Sequence, residues 1–281
     1  MTRSPAAYWK QLVAAGALLL CAAAAQAQFG GYFREGSIPP RFPSADFPDR
    51  DFFVCRLMYT RVRYEDMGIG WITDYPFAER NLMTRLSELT KTPISHDGEG
   101  QDPNTWVVRA TDPQLFHCPY LVSSDVGTIG LTAPEASRLH DYLLKGGFWW
   151  VDDFWGTLAW EQWSREIAKV LPASEYPIND VSLDDPLLRS LYTVKEVPQI
   201  TNIMFWRGSQ GNTTSERGDD SRDAHLRAIR DKRGRIMVLM THNTDVADSW
   251  EREGEDPGFF YQFSPKGYAL GIDVLLHAMT H

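Results

Sequence analysis

Apolar positions along the chain fall into short runs and periodic stripes that predict alternating strands and helices. Phe52 to Tyr59 is a nearly continuous apolar run, the pattern of a strand buried on both faces of a parallel sheet. Phe77, Leu82, Leu86 and Leu89 recur at helical spacing between Pro76 and Thr90, with Asn81, Arg85 and Glu88 facing outward. A weak second strand is expected at Thr92 to Ser95, followed by a polar loop from His96 to Asp102. The third runs from Leu115 to Ser123, where Pro119 lacks a ladder donor and reduces the first half to an entry. Thr132-Ala133-Pro134-Glu135 is a capping box that starts a helix with Leu139, Tyr142 and Leu143 on one stripe. Gly146-Gly147 ends it, and Phe148 to Asp153 follows as a strand with almost no loop between.

Thr157 to Leu171 is again helical, with Trp160, Trp163, Ile167, Val170 and Leu171 inward. Turns and short extended pieces occupy Asp180 to Thr201, and Arg207 to Asp223 is a polar loop whose composition predicts mobility. His225 to Arg230 and Arg235 to Met240 form a hairpin around Asp231-Lys232-Arg233-Gly234. An acidic loop from Glu251 to Gly258 precedes a closing helix from Gly267 to His281. The order β, α, β, β, α, β, α, hairpin, α predicts an α/β layered fold around a mostly parallel sheet, spanning residues 51–281 as a single domain.

Two N-terminal segments stand apart from it. Arg3 and Lys10 bracket a positive region, Leu12 to Ala25 is apolar, and Ala25-Gln26-Ala27 is a small-x-small cleavage site. Residues 1–27 therefore read as a signal peptide, and the protein as periplasmic or secreted. The apolar run is shorter than a spanning helix requires, so no transmembrane segment is expected after cleavage. Cys21 follows Leu18-Leu19-Leu20 rather than a small residue, which argues against lipidation. Residues 28–50 carry Gly30, Gly31, Gly36, Pro39, Pro40, Pro43 and Pro48 and read as an extended arm or linker.

Loss of the leader's two basic residues takes the formal charge from −9 to −11, which leaves no electrostatic footprint for nucleic acid or anionic lipid and excludes nucleic acid as a partner. The basic stretch Arg222 to Arg235 alternates with Asp and apolar residues, as a solvated strand edge does. Cys55 and Cys118 are the remaining cysteines. An oxidising compartment permits a bond between them, and two buried thiols are the alternative.

In open α/β sheets ligands bind beyond the carboxyl ends of the strands, so candidate chemistry is sought there. Those ends carry Tyr59 and Arg61, then Asp125, then Asp152 and Asp153, then His242, Asn243 and Asp245. Adjacent strand residues face opposite ways, so one of Asp152 and Asp153 is expected in a cleft while the other caps or pairs. His242 with Asp125, Asp152 and Asp245 could form a general acid/base set or a mixed nitrogen and oxygen metal cluster, or simply a hydrogen-bonded turn. His277 and His281 lie one helical turn apart and could chelate a metal. No tight ligand motif is present, so no cofactor is expected, a divalent metal being the one option left open. Trp149, Trp150, Trp160 and Trp163 read as core, whereas Trp155 and Trp250 are candidates to line a pocket. No G-x-S-x-G, GxGxxG, Walker or CxxC motif occurs, which removes serine hydrolase, dinucleotide and P-loop chemistry.

Residues Arg56 to Tyr59, Tyr142 to Asp153, Asp184-Asp185-Pro186-Leu187, His242 to Asp245 with Trp250, and Gly267 to Ile272 resemble the bacterial family catalogued as domain of unknown function 4159. The resemblance covers Asp51 to His281 and is most specific at Gly146 to Asp153. It implies a flavodoxin-like three-layer sandwich, related to the class I glutamine amidotransferase-like fold. That enzyme class needs a cysteine on the turn after Trp149 to Val151, and here Asp152 and Asp153 stand there, so glutaminase chemistry should be absent. The expectation is an exported, non-catalytic module that binds a small molecule, glycan or envelope protein. An aspartate- and histidine-dependent hydrolase of an envelope glycan, and a structural assembly subunit, are the alternatives.

Overall fold

The computed structural model describes residues 38–45, 51–96 and 102–281. The expected signal peptide and most of the expected arm lie outside the described residues. Among the described residues seven strands form one sheet. Five are parallel: β1 (Val54–Met58), β3 (Thr105–Arg109), β4 (Leu121–Ser123), β6 (Trp149–Val151) and β9 (Ile236–His242). Antiparallel β8 (His225–Arg230) and β7 (Ile178–Asp180) extend the β9 side, giving the order β3-β1-β4-β6-β9-β8-β7. Numbered by appearance, the parallel strands run 2-1-3-4-5, the doubly wound order of flavodoxin-like folds, with its switch point between β1 and β4. Two-residue strands β2 (Thr60–Arg61) and β5 (Ile129–Gly130) pair above that point.

Helices cover both faces, as right-handed crossovers between parallel strands require. On one side α1 (Phe77–Thr90) packs with α5 (Asp248–Glu251) and α6 (Pro257–Thr280). On the other, α2 (Ala133–Leu144) packs with α3 (Gly156–Val170). Two neighbouring residues of β6 show how the strand feeds both layers. The Trp149 ring meets Trp163 of α3 edge-on at 5.2 Å, and Trp150 meets Trp250 of α5 at 5.5 Å. At Gly271 a Cβ would stand 2.5 Å from the Trp250 ring and 2.8 Å from Leu82, so glycine is what lets α6 close on α5 and α1. Among the described residues no helix is long and apolar enough to cross a membrane.

Thr132 and Glu135 form the expected reciprocal capping box, and the β8–β9 hairpin lies where its turn residues place it. Four expectations are corrected. The strand that follows α1 in the sheet is Thr105–Arg109 rather than Thr92 to Ser95, of which only Ile94 bridges to Phe52. The run Trp106-Val107-Val108 carried a strand signal in its aromatic and β-branched residues. Leu115 to His117 is a 3₁₀ turn, and the strand begins only at Leu121, beyond Pro119. Helix α6 starts at Pro257, ten residues before the expected Gly267, because Asp256 caps it by accepting from the Gly258 and Phe259 amides. Finally, the polar stretch Arg207 to Asp223 is anchored. Helix α4 (Ile203–Gly208) enters it, Glu216 accepts from the Thr201 hydroxyl and Asn202 amide, and Arg217 donates to the Asp66 carbonyl.

The cysteine alternatives resolve to a disulfide between Cys55 and Cys118. Cys55 lies on β1 beside the entry to β4, which places the pair 5.8 Å apart at Cα. Residues 38–45 lie along β3, with the Val107 amide donating to the Arg41 carbonyl and the Arg41 guanidinium over the Trp106 ring.

Candidate functional site

Beyond the carboxyl ends of the parallel strands the chain turns sharply, and several turn residues adopt left-handed backbone. Asp74 (φ 67°), Asp125 (φ 52°), Asp153 (φ 54°) and Asn243 (φ 60°) are four of them. Asp125 follows β4, Asp153 follows β6, Asn243 follows β9, and Asp74 closes the connection from β1 to α1. Asp and Asn tolerate this region better than other side-chain-bearing residues, and such backbone recurs at binding and catalytic sites.

These turns gather carboxylates. One oxygen each from Asp74, Asp153 and Asp245 lie within 4.8 Å of one another, and Asp74 stands equally close to Asp248 and Glu251. Asp74 and Asp245 are buried, and Asp153 is half-buried. Each of the three is held by one donor. Ser124 Oγ donates to Asp74 at 2.5 Å, Trp155 Nε1 to Asp153 at 2.9 Å, and the Asp248 amide to Asp245 at 2.9 Å. Asp152 points elsewhere, accepting from the Thr241 hydroxyl at 2.5 Å and the Ala247 amide at 2.8 Å. Asp152 and Asp153 thus point different ways, the change of direction coming from the left-handed turn at Asp153 beyond the end of β6.

A buried cation sits behind the cluster. Arg56, in the middle of β1, is fully buried, forms an ion pair with Glu79 of α1, and donates to Ser124 Oγ at 2.9 Å. Burial pushes the Asp74 carboxyl up, and the Arg56 charge and Ser124 bond pull it partly back. Burial, with repulsion from Asp74 and other neighbouring carboxylates, pushes Asp153 and Asp245 well above the ordinary range. Burial raises Asp152 to about 7 against the bonds from Thr241 and Ala247. Asp125 also rises to about 7 by burial, opposed by the Gly70 amide it accepts from at 2.7 Å. Close packing of loop 62–71 causes this burial: a Cβ on Gly68 would stand 2.5 Å from Asp125 Cγ.

The other expected site residues are distributed around this group. Tyr59 donates to the Ser124 and Asp125 carbonyls at 2.8 Å, bracing the turn after β4. Arg61 is exposed, with its guanidinium over Tyr64. Trp155 is buried and holds Asp153, whereas Trp250 is buried against Trp150. Asn243 accepts from the Gly156 amide and donates to the Asp223 carbonyl, tying β9 to the start of α3. His242 contacts a different set of groups. Its ring lies against Phe154, Trp160 and His225, with Nε2 3.2 Å from the Gly156 carbonyl and Nδ1 3.2 Å from Arg227. Burial, with Arg227 and His225 nearby, lowers His242 to about 4. Asp74, Asp248, Glu251 and Arg56 were not among the expected site residues. A charged residue in a both-faces-buried strand was the available signal for Arg56.

These shifts have opposite consequences for stability. The folded state holds the Asp125 proton more tightly than the unfolded chain does. Its contribution is therefore full below pH 3.8 and is lost as pH rises toward 7. His242 acts in reverse: its contribution is full above pH 6.5 and is lost as pH falls toward 4. Urea denaturation across this window should show Asp125→Asn removing part of the loss at rising pH, and His242→Asn part of the loss at falling pH.

Fold and site together define a doubly wound α/β protein with a carboxylate-lined strand-end site. The chain belongs to the family described as domain of unknown function 4159, whose model matches residues 58–279. Comparison with curated proteins finds no match.

Proposed function

We propose that the protein is an exported ligand-binding module of the cell envelope, whose strand-end carboxylates receive a positively charged ligand. The observation that carries this reading is the turn after β6. It holds Asp153 in left-handed backbone, and Asp153 shares a partly buried group with Asp74 and Asp245. Three carboxylates so close repel one another when ionised, and a hard cation or an ammonium group relieves that repulsion. Loop 62–71 supports a ligand with further bulk. It is pinned by Gly70 to Asp125 and by Ile69 to Thr73, yet exposes Val62, Tyr64, Met67 and Ile69. The Cys55–Cys118 disulfide supports export, since such bonds persist in oxidising compartments.

One observation favours a hydrolase as second reading. Asp153 stands in left-handed backbone on a strand-to-helix turn, and its raised carboxyl would serve as a general acid. His242 contributes little to that chemistry, because both its ring nitrogens are engaged away from the carboxylates.

A thermal-shift screen of the protein against calcium, magnesium, manganese, alkylamines and envelope glycans, with a chelator control, tests the proposal. A saturable rise in Tm with a cationic ligand is expected. No rise with any cation or amine would overturn it.

A further inference from the structure

Residues 63–70 cross the strand-end turns with little backbone support. Among the described residues no amide from Arg63 to Ile69 donates to a backbone carbonyl, and Tyr64, Met67 and Ile69 are exposed. The Val62 amide, bonded to the Thr128 carbonyl, fixes one end, and the turn closed by the Thr73 amide on the Gly70 carbonyl fixes the other. A segment built this way opens locally at small cost.

Two buried carboxylates hold it down. Asp125, on the turn after β4, accepts from the Gly70 amide at 2.7 Å. Glu65, within the loop, accepts from Arg63 at 2.7 Å, lies 3.6 Å from Arg217 and takes the Trp155 amide beyond β6. The loop thereby ties the turn after β4 to the turn after β6. Glu65 has two guanidinium groups beside it, whereas Asp125 has none in contact. Asp125 is 1% exposed, and its Oδ1 has no hydrogen-bond partner. Its carboxyl group lies flat against Gly68, where a Cβ would stand 2.5 Å from Cγ and 2.6 Å from either oxygen. A buried carboxyl oxygen without a donor costs far more ionised than neutral, and lifting residues 68–70 admits water to it.

We propose that residues 63–70 are a pH-operated strap, latched over the strand-end turns while the Asp125 carboxyl is neutral and released as it ionises. The charged and titratable groups facing Asp125 are Glu65 on the loop, Arg61 on β2, Tyr59 after β1 and Asp153 after β6. Arg61 is exposed and the Tyr59 hydroxyl donates to the Asp125 carbonyl, so two carboxylates oppose ionisation and one solvated cation favours it. Burial raises the Asp125 carboxyl to about 7 in the closed loop. In the open loop it returns to the ordinary 3.8, so its contribution to closing is full below pH 3.8 and is lost as pH rises to 7. Use of the strap as a gate to the carboxylate site rests on the ligand reading above, whereas the latch does not.

Amide hydrogen exchange of the folded, ligand-free protein tests the latch alone, so its failure is distinct from a failure of the Tm screen. Exchange is expressed as protection factors, which removes the intrinsic effect of pH. Protection of the Gly70 amide is expected to lie below that of the β9 amides and to fall about tenfold per pH unit from pH 5 until it levels near 7. Asp125→Asn, which keeps an acceptor for Gly70 without a charge, should flatten this profile. Gly68→Ala places a methyl group against the carboxyl at an exposed position and should leave the loop unprotected even at pH 5, with β9 still protected. Gly70 protection that is constant from pH 5 to 7, an equal fall in Asp125→Asn, or native protection in Gly68→Ala would overturn the proposal.

Discussion

Replacing Arg56 with methionine is expected to destabilise the protein by about 3–5 kcal/mol, enough to remove a large part of its folding free energy. Arg56 is fully buried in β1, its neighbours in register being Val107 on β3 and Val122 on β4. Water cannot replace it there. Its loss leaves the Glu79 carboxylate, only 3% exposed, without a counter-charge and removes the cation that steadies Asp74 through Ser124. The double variant Arg56→Met with Glu79→Met should recover much of the loss, because a buried ion pair exchanged for apolar groups costs far less than a broken one. Urea denaturation of the single and double variants measures this. Equal losses in both would mean that packing, and not the unpaired charge, sets the cost.

Removal of the disulfide is the second large effect. Cys55 and Cys118 are separated by 63 residues, and the loop they close contains β2, α1 and β3, with Asp74 and Glu79. Closing a loop of that length restricts the unfolded chain by about 4 kcal/mol. Cys55→Ala with Cys118→Ala should therefore lower Tm by about 10 °C. Both cysteines are buried, so reductant should act on the native protein only slowly. A double variant as stable as the oxidised protein would remove this support for export, since the bond would then contribute nothing to the fold.

Periodicity carried most of the architecture. The run at β1, the stripe of α1, the capping box of α2 and the turn residues of the hairpin each follow from local rules, and the sheet assembles around them. Failures came where local signals conflicted. The Asp256-Pro257 cap marks the true beginning of α6, ahead of the expected Gly267, and the helix continues through Pro265. In β3, three strand-forming residues follow a polar loop and were too few to stand out. The site was legible in part for the same reason. Strand ends are predictable, and Asp125, Asp152, Asp153 and Asp245 were found there. Asp74 was not, because it enters from a connection whose path depends on how loop 62–71 folds back on Asp125. His242 follows the sheet edge as expected, but its ring turns toward Trp160 and Arg227, an orientation set by side chains far away in sequence.

Ligand-induced stabilisation in three variants tests the central claim, that the Asp74, Asp153 and Asp245 carboxylates receive the ligand. The best cation or amine from the screen is titrated into Asp153→Asn, Asp245→Asn and His242→Ala while Tm is followed. The account predicts that the rise in Tm is lost in both asparagine variants and kept in His242→Ala. A rise that survives both asparagine substitutions, or one that disappears only in His242→Ala, would contradict it.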